Sequence, residues 1–199
     1  MTAAAHADRD PAAREVDSLV GMAIFLAAWA MLFAALFLAY GVVRVQAAEW
    51  PPFGAPRLPR AAPALSTLLL IASGLSLRRG LARARRSDPP RLPRGALRAS
   101  IVLGVAFLAA QVVLWQAMRA RGLLPSSGVY GSVFFALTGF HALHVVGGVC
   151  GLGWLAIRDR RGRRPDAAAS TLRAARMVAL YWDFIAAVWL LMYLAIFWL

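Results

Sequence analysis

Five long apolar segments divide the chain, and Asp183 is the single acidic residue inside them. About 20 residues at a rise of 1.5 Å each cross a hydrocarbon core of roughly 30 Å. Four segments meet this length, and the second is marginal, with Pro63 in what would be its first turn, where proline is tolerated. Their residues do not alternate as barrel strands do. The pattern predicts an all-α bundle of five transmembrane helices, at about residues 20–43, 61–79, 99–118, 130–157 and 177–199.

The arginines predict the orientation of this bundle. All 22 basic residues are Arg. Fifteen of them lie in the connections after the second and fourth segments, against five in the other two connections. The positive-inside rule places the fifteen in the cytoplasm, so the N-terminus is expected inside and the C-terminus outside. Residues 1–18 are then a polar cytoplasmic tail, and residues 19–199 form one membrane domain.

Composition narrows the class of protein further. Of the 199 residues, 61% are hydrophobic and the mean hydropathy is +0.64, which excludes a disordered chain. Cys150 is the single cysteine, so there is no disulfide framework. A net charge of +13 is typical of nucleic-acid binders, but here the arginines lie between apolar segments, where membrane proteins keep them. We therefore expect lipid contacts and no nucleic-acid partner.

Polar side chains inside the segments are the candidates for chemistry. His141 and His144 share a face of the fourth helix, which allows either a metal or haem site or, as we favour, hydrogen bonds to neighbouring helices. Counted from the inner helix ends, Gln111 and His144 lie at similar depths, about 18 and 20 Å, so they are expected to meet. Their contact would be a structural hydrogen bond between the third and fourth helices or, as the less favoured alternative, a link in a proton path.

Asp183 lies about 9 Å from the inner end of the fifth helix. A carboxylate there is costly and is either functional or a structural contact near the interface. Gly147 and Gly151 form a small-xxx-small step that predicts close helix packing. Arg44, directly after the first segment, is a candidate for contact with lipid headgroups. No CxxC, paired carboxylate, phosphate loop or nucleophile–base pair is visible, so we expect neither a catalytic residue nor a metal site in this chain.

Four motifs, in order along the chain, resemble the shorter cytochrome c oxidase subunit III proteins. They are Gly21–Leu26 with Trp50-Pro51-Pro52, then Ser66–Ser73, then Gly131–Phe135 with Thr138–Val145, and finally Tyr181-Trp182-Asp183-Phe184. The similarity runs from about Val20 to the C-terminus and corresponds to the five-helix form of the family.

The resemblance implies a non-catalytic accessory subunit of a bacterial haem-copper terminal oxidase, in the cytoplasmic membrane. Such a subunit packs beside the catalytic subunit I, and subunit II is a further expected partner. It binds phospholipid and supports assembly and sustained, proton-coupled oxygen reduction. Haem and copper are held by the partner and not by subunit III itself.

Two motifs depart from the family pattern. Where the family usually has a Ser-Glu pair in the first helix, this chain has Ala28-Trp29. In the last-helix motif the usual His is replaced by Asp183 and the later Asp by Ala186. An indole N–H is a donor and a carboxylate an acceptor, so we expect Trp29 to donate to Asp183, directly or through one water. Desolvation would favour a protonated Asp183 in that arrangement, and Asp183→Asn is expected to be tolerated in assembly because Asn keeps an acceptor.

Other functions remain open at this stage. A divergent branch of the family, the subunit III-like protein associated with nitric oxide reductases, fits the same motifs. A small transporter with Asp183 as its coupling site lacks the expected repeat symmetry. A quinol-handling membrane enzyme lacks the histidines for haem.

The orientation can be tested by thiol labelling in intact cells. A cysteine at Ser127 is expected to react with an impermeant reagent from outside, and one at Ser87 is not, because the arginine count places these connections on opposite sides. The reverse labelling would contradict the predicted topology.

Overall fold

A computed structural model of the chain describes residues 11–87, 91–161 and 165–198. The regular structure of these residues is helical throughout: α1 (Pro11–Gln46), α2 (Ala61–Arg86), α3 (Arg94–Ala120), α4 (Val129–Arg161) and α5 (Pro165–Phe197). Each of the five is long and apolar enough to span a membrane. The predicted all-α, five-helix membrane fold is confirmed, while the orientation of its termini stays a prediction.

The helices extend beyond the apolar segments, mainly on the side predicted to be cytoplasmic. Residues 11–18, expected to be a polar tail, belong to α1; residues 1–10 lie outside the described part of the chain. Helices α1 and α5 both begin at proline, which suits the first helical position because no N–H is needed there. Polar contacts hold the extensions together: Arg176 of α5 pairs with Glu15 of α1, and Arg158 of α4 donates to Ser170 at 3.0 Å. An apolar segment marks the lipid-embedded part of a helix and not its ends.

Four helices form a closed ring, in which α2 contacts α3, α3 contacts α4, α4 contacts α5, and α5 contacts α2. Helix α1 lies outside this ring, against the seam between α4 and α5. The α2–α3 pair is joined by reciprocal hydrogen bonds, since Ser73 donates to the carbonyl of Ser100 at 2.8 Å and Ser100 donates to that of Ser73 at 3.0 Å.

The centre of the ring is filled by Trp182 of α5, which is fully buried. Its indole crosses to the opposite helices, where glycines make room for it. A Cβ atom on Gly148 of α4 would lie 2.6 Å from the ring, and one on Gly104 of α3 would lie 2.9 Å from it. The tight approach lies at Gly148 and Gly104 and not at Gly147 and Gly151, where close packing was expected. A Cβ atom at Gly147 or Gly151 would meet its nearest neighbour at 3.5 or 3.9 Å, which is ordinary van der Waals contact.

Alanine substitution separates these two kinds of glycine. Gly148→Ala should destabilise the protein by about 1–3 kcal/mol, since the added methyl group overpacks against a rigid indole. Gly147→Ala, one residue away on the same helix, should be neutral or slightly stabilising because alanine favours the helix. Thermal unfolding of the two variants in the same detergent measures the difference, and equal midpoints would contradict this account of the packing.

Candidate functional site: intramembrane polar contacts and a membrane-facing groove

Asp183 forms an ion pair with Arg78 of α2. Arg78 Nε donates to Oδ1 at 2.8 Å, and Nη2 lies 2.6 Å from Oδ2. This two-point geometry is that of a guanidinium bound to a carboxylate, so it favours a charged Asp183 over the protonated one. No direct hydrogen bond from Trp29 reaches Asp183 among the described residues: Arg78 is the partner of the carboxylate, and the Trp29 ring packs against His144. A link from Trp29 to Asp183 through one water stays a prediction.

The pairing of Arg78 with Asp183 could not be recognised from the sequence pattern. Arg78 directly follows the second apolar segment and was counted with the connection after it. Because α2 continues to Arg86, however, Arg78 stays on the helix and lies within reach of Asp183 across the α2–α5 contact. Arg78 keeps 61% of its side-chain surface exposed and Asp183 29%, which is typical of a pair near an interface.

Trp29 contributes to an aromatic cluster that attaches α1 to α4. Its ring meets His144 edge-on, with centroids 4.2 Å apart at an interplanar angle of 84°. It also contacts Phe140 and Phe25, each with a centroid separation of 6.1 Å. From α5, the Tyr181 hydroxyl donates to the carbonyl of His144 at 3.1 Å. The cluster therefore joins three helices by ring packing around His144.

Neither histidine makes the expected hydrogen bond to a neighbouring helix. The Nδ1 of His144 lies 2.7 Å from the carbonyl of Phe140, one turn earlier on its own helix. His141 stacks on Trp189 at 5.3 Å, and neither of its ring nitrogens has a partner among the described residues. The contact expected between Gln111 and His144 is wrong as well, because the described residues offer no partner to either amide atom of Gln111.

The described residues around the two histidines offer no further metal-ligating side chains. Nowhere in the described ranges do three or more His, Cys, Asp or Glu side chains come together in a way that could hold a metal ion.

At the end of the bundle predicted to face outward, Arg44 is occupied by protein contacts. It donates to the Tyr40 hydroxyl at 3.0 Å and to the carbonyl of Ala195 at 3.4 Å, and Tyr40 donates to the same carbonyl at 2.9 Å. These bonds satisfy a carbonyl in the last turn of α5, which the helix itself leaves without a partner. Contact of Arg44 with a lipid headgroup stays a prediction.

A groove of about 520 Å³ opens toward the membrane where α1 stands away from α4 and α5. Its floor includes Gly147 and Gly151, and its walls include Phe25, Trp154 and Tyr181. Because the two glycines lack side chains and α1 lies outside the ring, this space is left between the three helices. The sequence pattern of glycines on α4 predicts a face for helix packing, whereas in the structure Gly147 and Gly151 line the groove.

A double-mutant cycle tests the partner of Asp183. Arg78→Gln and Asp183→Asn should show a favourable coupling of about 0.2–1 kcal/mol in thermal unfolding, the range for partly exposed pairs. The matched cycle of Trp29→Phe with Asp183→Asn should give no coupling. Coupling in the second cycle and none in the first would restore the Trp29 hypothesis.

Comparison with known proteins identifies the family. The family model of cytochrome c oxidase subunit III matches residues 9–199. A protein of Nocardia farcinica named probable cytochrome c oxidase subunit 3 is 36% identical over 180 residues, which cover 89% of this chain and 86% of that protein. A protein of the same name from Mycobacterium leprae is 34% identical over 179 residues, with the same coverage of both chains. The cytochrome c oxidase subunit 3 of Synechocystis is 30% identical over 183 residues, which cover 90% of this chain and 74% of that protein.

These relatives favour the oxidase over the nitric oxide reductase alternative, since each of them is named as an oxidase subunit. The match covers all five helices, including the ion pair, the aromatic cluster and the groove. The chain is a multi-pass membrane protein that belongs to the cytochrome c oxidase subunit III family.

Proposed function

We propose that this chain is the non-catalytic subunit III of a haem-copper terminal oxidase in a bacterial cytoplasmic membrane. The observation that carries the proposal is the family match over residues 9–199, on a chain whose helices form one membrane bundle. Its partners are the catalytic subunit I and subunit II. Haem and copper in the partner supply the oxygen chemistry, and this chain contributes packing, lipid contacts and support for sustained turnover.

Phospholipid is the ligand that fits the groove between α1, α4 and α5. The walls are almost entirely apolar, with the Tyr181 hydroxyl as their main polar group, so an acyl chain would lie against carbon. At the inner end of the bundle, Arg158 packs over the ring of Trp154, which itself lines the groove. A guanidinium at that height suits the phosphate of a lipid whose acyl chain lies in the groove. A lipid bound there would join α1 to the rest of the subunit.

Copurification tests the proposed place in an oxidase. A tagged chain extracted in mild detergent should bring down a haem-containing polypeptide, and the chain dissociated from it should show no Soret band. The expected result is one haem-bearing partner at fixed stoichiometry. Stoichiometric haem or copper on the isolated chain would contradict an accessory role.

Filling the groove tests the lipid proposal separately. Gly147→Leu places a side chain on its floor and should lower the tightly bound phospholipid, measured as phosphorus per haem in the purified complex. Turnover should then decay faster, while the initial rate stays unchanged. Leu143→Phe is the matched control, because Leu143 lies one turn away on α4 and is 64% exposed outside the groove. Equal lipid content in the two variants would place the lipid elsewhere.

A further inference from the structure

Two buried polar side chains in the middle of the ring have unused hydrogen-bonding capacity. Gln111 and His141 are each 1% exposed. Neither amide atom of Gln111 and neither ring nitrogen of His141 is bonded to any described residue. Buried polar groups in proteins are almost always paired with protein or with ordered water, and an unpaired one is costly. Two such groups in one region therefore indicate a ligand that they share.

The packing of α3 on α4 places the two groups at the same height. Trp115 of α3 donates to the Thr138 hydroxyl of α4 at 3.0 Å. One turn before Gln111, Phe107 meets the ring of His141 edge-on, with centroids 5.9 Å apart. Gln111 is one turn from each of these α3 residues, on the same face of the helix, so it lies between a contact with Thr138 and a contact with His141.

The surroundings restrict the chemistry of the ligand. Phe107 and Trp189 pack against His141. No carboxylate of the described residues joins the two groups in a cluster, so a cation has no counter-charge from this part of the chain. The amide offers two donors and one acceptor, and a neutral imidazole offers one of each. A water molecule bonds two to four polar partners in buried sites of this kind and is small enough for a packed core.

We propose that Gln111 and His141 bind at least one internal water molecule in the middle of the bundle, between α3 and α4. The water bonds one group of each residue: it donates to the Gln111 carbonyl oxygen, and it either donates to the unprotonated ring nitrogen of His141 or accepts from the ring N–H. The Nε2 of His144 and the Nε1 of Trp182 are also buried without a partner among the described residues. We leave His144 out of this site because its Nδ1 lies 2.7 Å from the carbonyl of Phe140 and its ring packs against Trp29 of α1. The proposal does not depend on the function proposed above.

Histidine-selective labelling tests the site directly, because the chain has three histidines. With His6→Gln as background, the full chain labelled with ¹⁵N-histidine in lipid bilayers gives signals from His141 and His144 alone. Water-edited solid-state NMR should transfer magnetisation rapidly from water to the ring of His141. Gln111→Leu should abolish the transfer, whereas the control Gln116→Leu, on an exposed position of α3, should leave it intact. Transfer that is absent in the parent chain, or that survives Gln111→Leu, would overturn the proposal.

A stability cycle provides an independent measurement. Gln111→Leu and His141→Phe should each lower the midpoint of thermal unfolding, because each leaves the other group without its shared ligand. The double variant should regain part of the loss, whereas Gln111→Leu combined with His144→Phe should be additive. Additive effects of Gln111→Leu and His141→Phe would contradict a shared water.

Discussion

The indole of Trp182 occupies the space in which four helices of this bundle meet. It belongs to α5, yet its ring reaches the glycines of α3 and α4, and its Cδ1 lies close to Gly74 of α2. In lipid there is little hydrophobic drive between helices, so association depends on close packing and on a few polar bonds. A large rigid side chain among glycines maximises such packing. The ring of α2, α3, α4 and α5 therefore depends on the shape of one residue and on the absence of three side chains.

Helix α1 is attached by different means, and this difference produces the groove. Among the described helices it contacts α4 and α5, through the aromatic cluster around His144 in the middle and through polar bonds at its ends. Between these attachments Gly147 and Gly151 have no side chains to fill the space beside α4, so their backbone lines the groove. A ring closed by Trp182 is rigid enough to hold one wall of a groove, and a peripheral helix supplies the other. Space for lipid follows from the unequal packing of the five helices.

Much of this fold could be predicted from the sequence, because lipid imposes a length and a polarity on each helix. The five segments and the family motifs were visible for that reason. The partner of Asp183 was not, since Arg78 lies at the end of the second apolar segment and counts with the arginines of the connection, whereas the helix continues through the interface to Arg86. The glycine face of α4 was visible too, but spacing alone does not tell which glycine faces a neighbouring ring and which faces lipid. The orientation of one side chain, Trp182, decides that question.

The change at position 29 shows how contacts of different chemistry can hold the same helix. In the resembling family this position usually carries a carboxylate, and here it carries an indole that packs edge-on against His144. A carboxylate can exchange a proton with its surroundings, whereas an indole N–H is a donor only and does not titrate. Trp29 therefore cannot take up or release a proton as a carboxylate can, and its ring serves to attach α1 to α4. The charge that Asp183 introduces on α5 is balanced by Arg78 on another helix, not by Trp29, so the two departures from the family pattern have separate structural consequences.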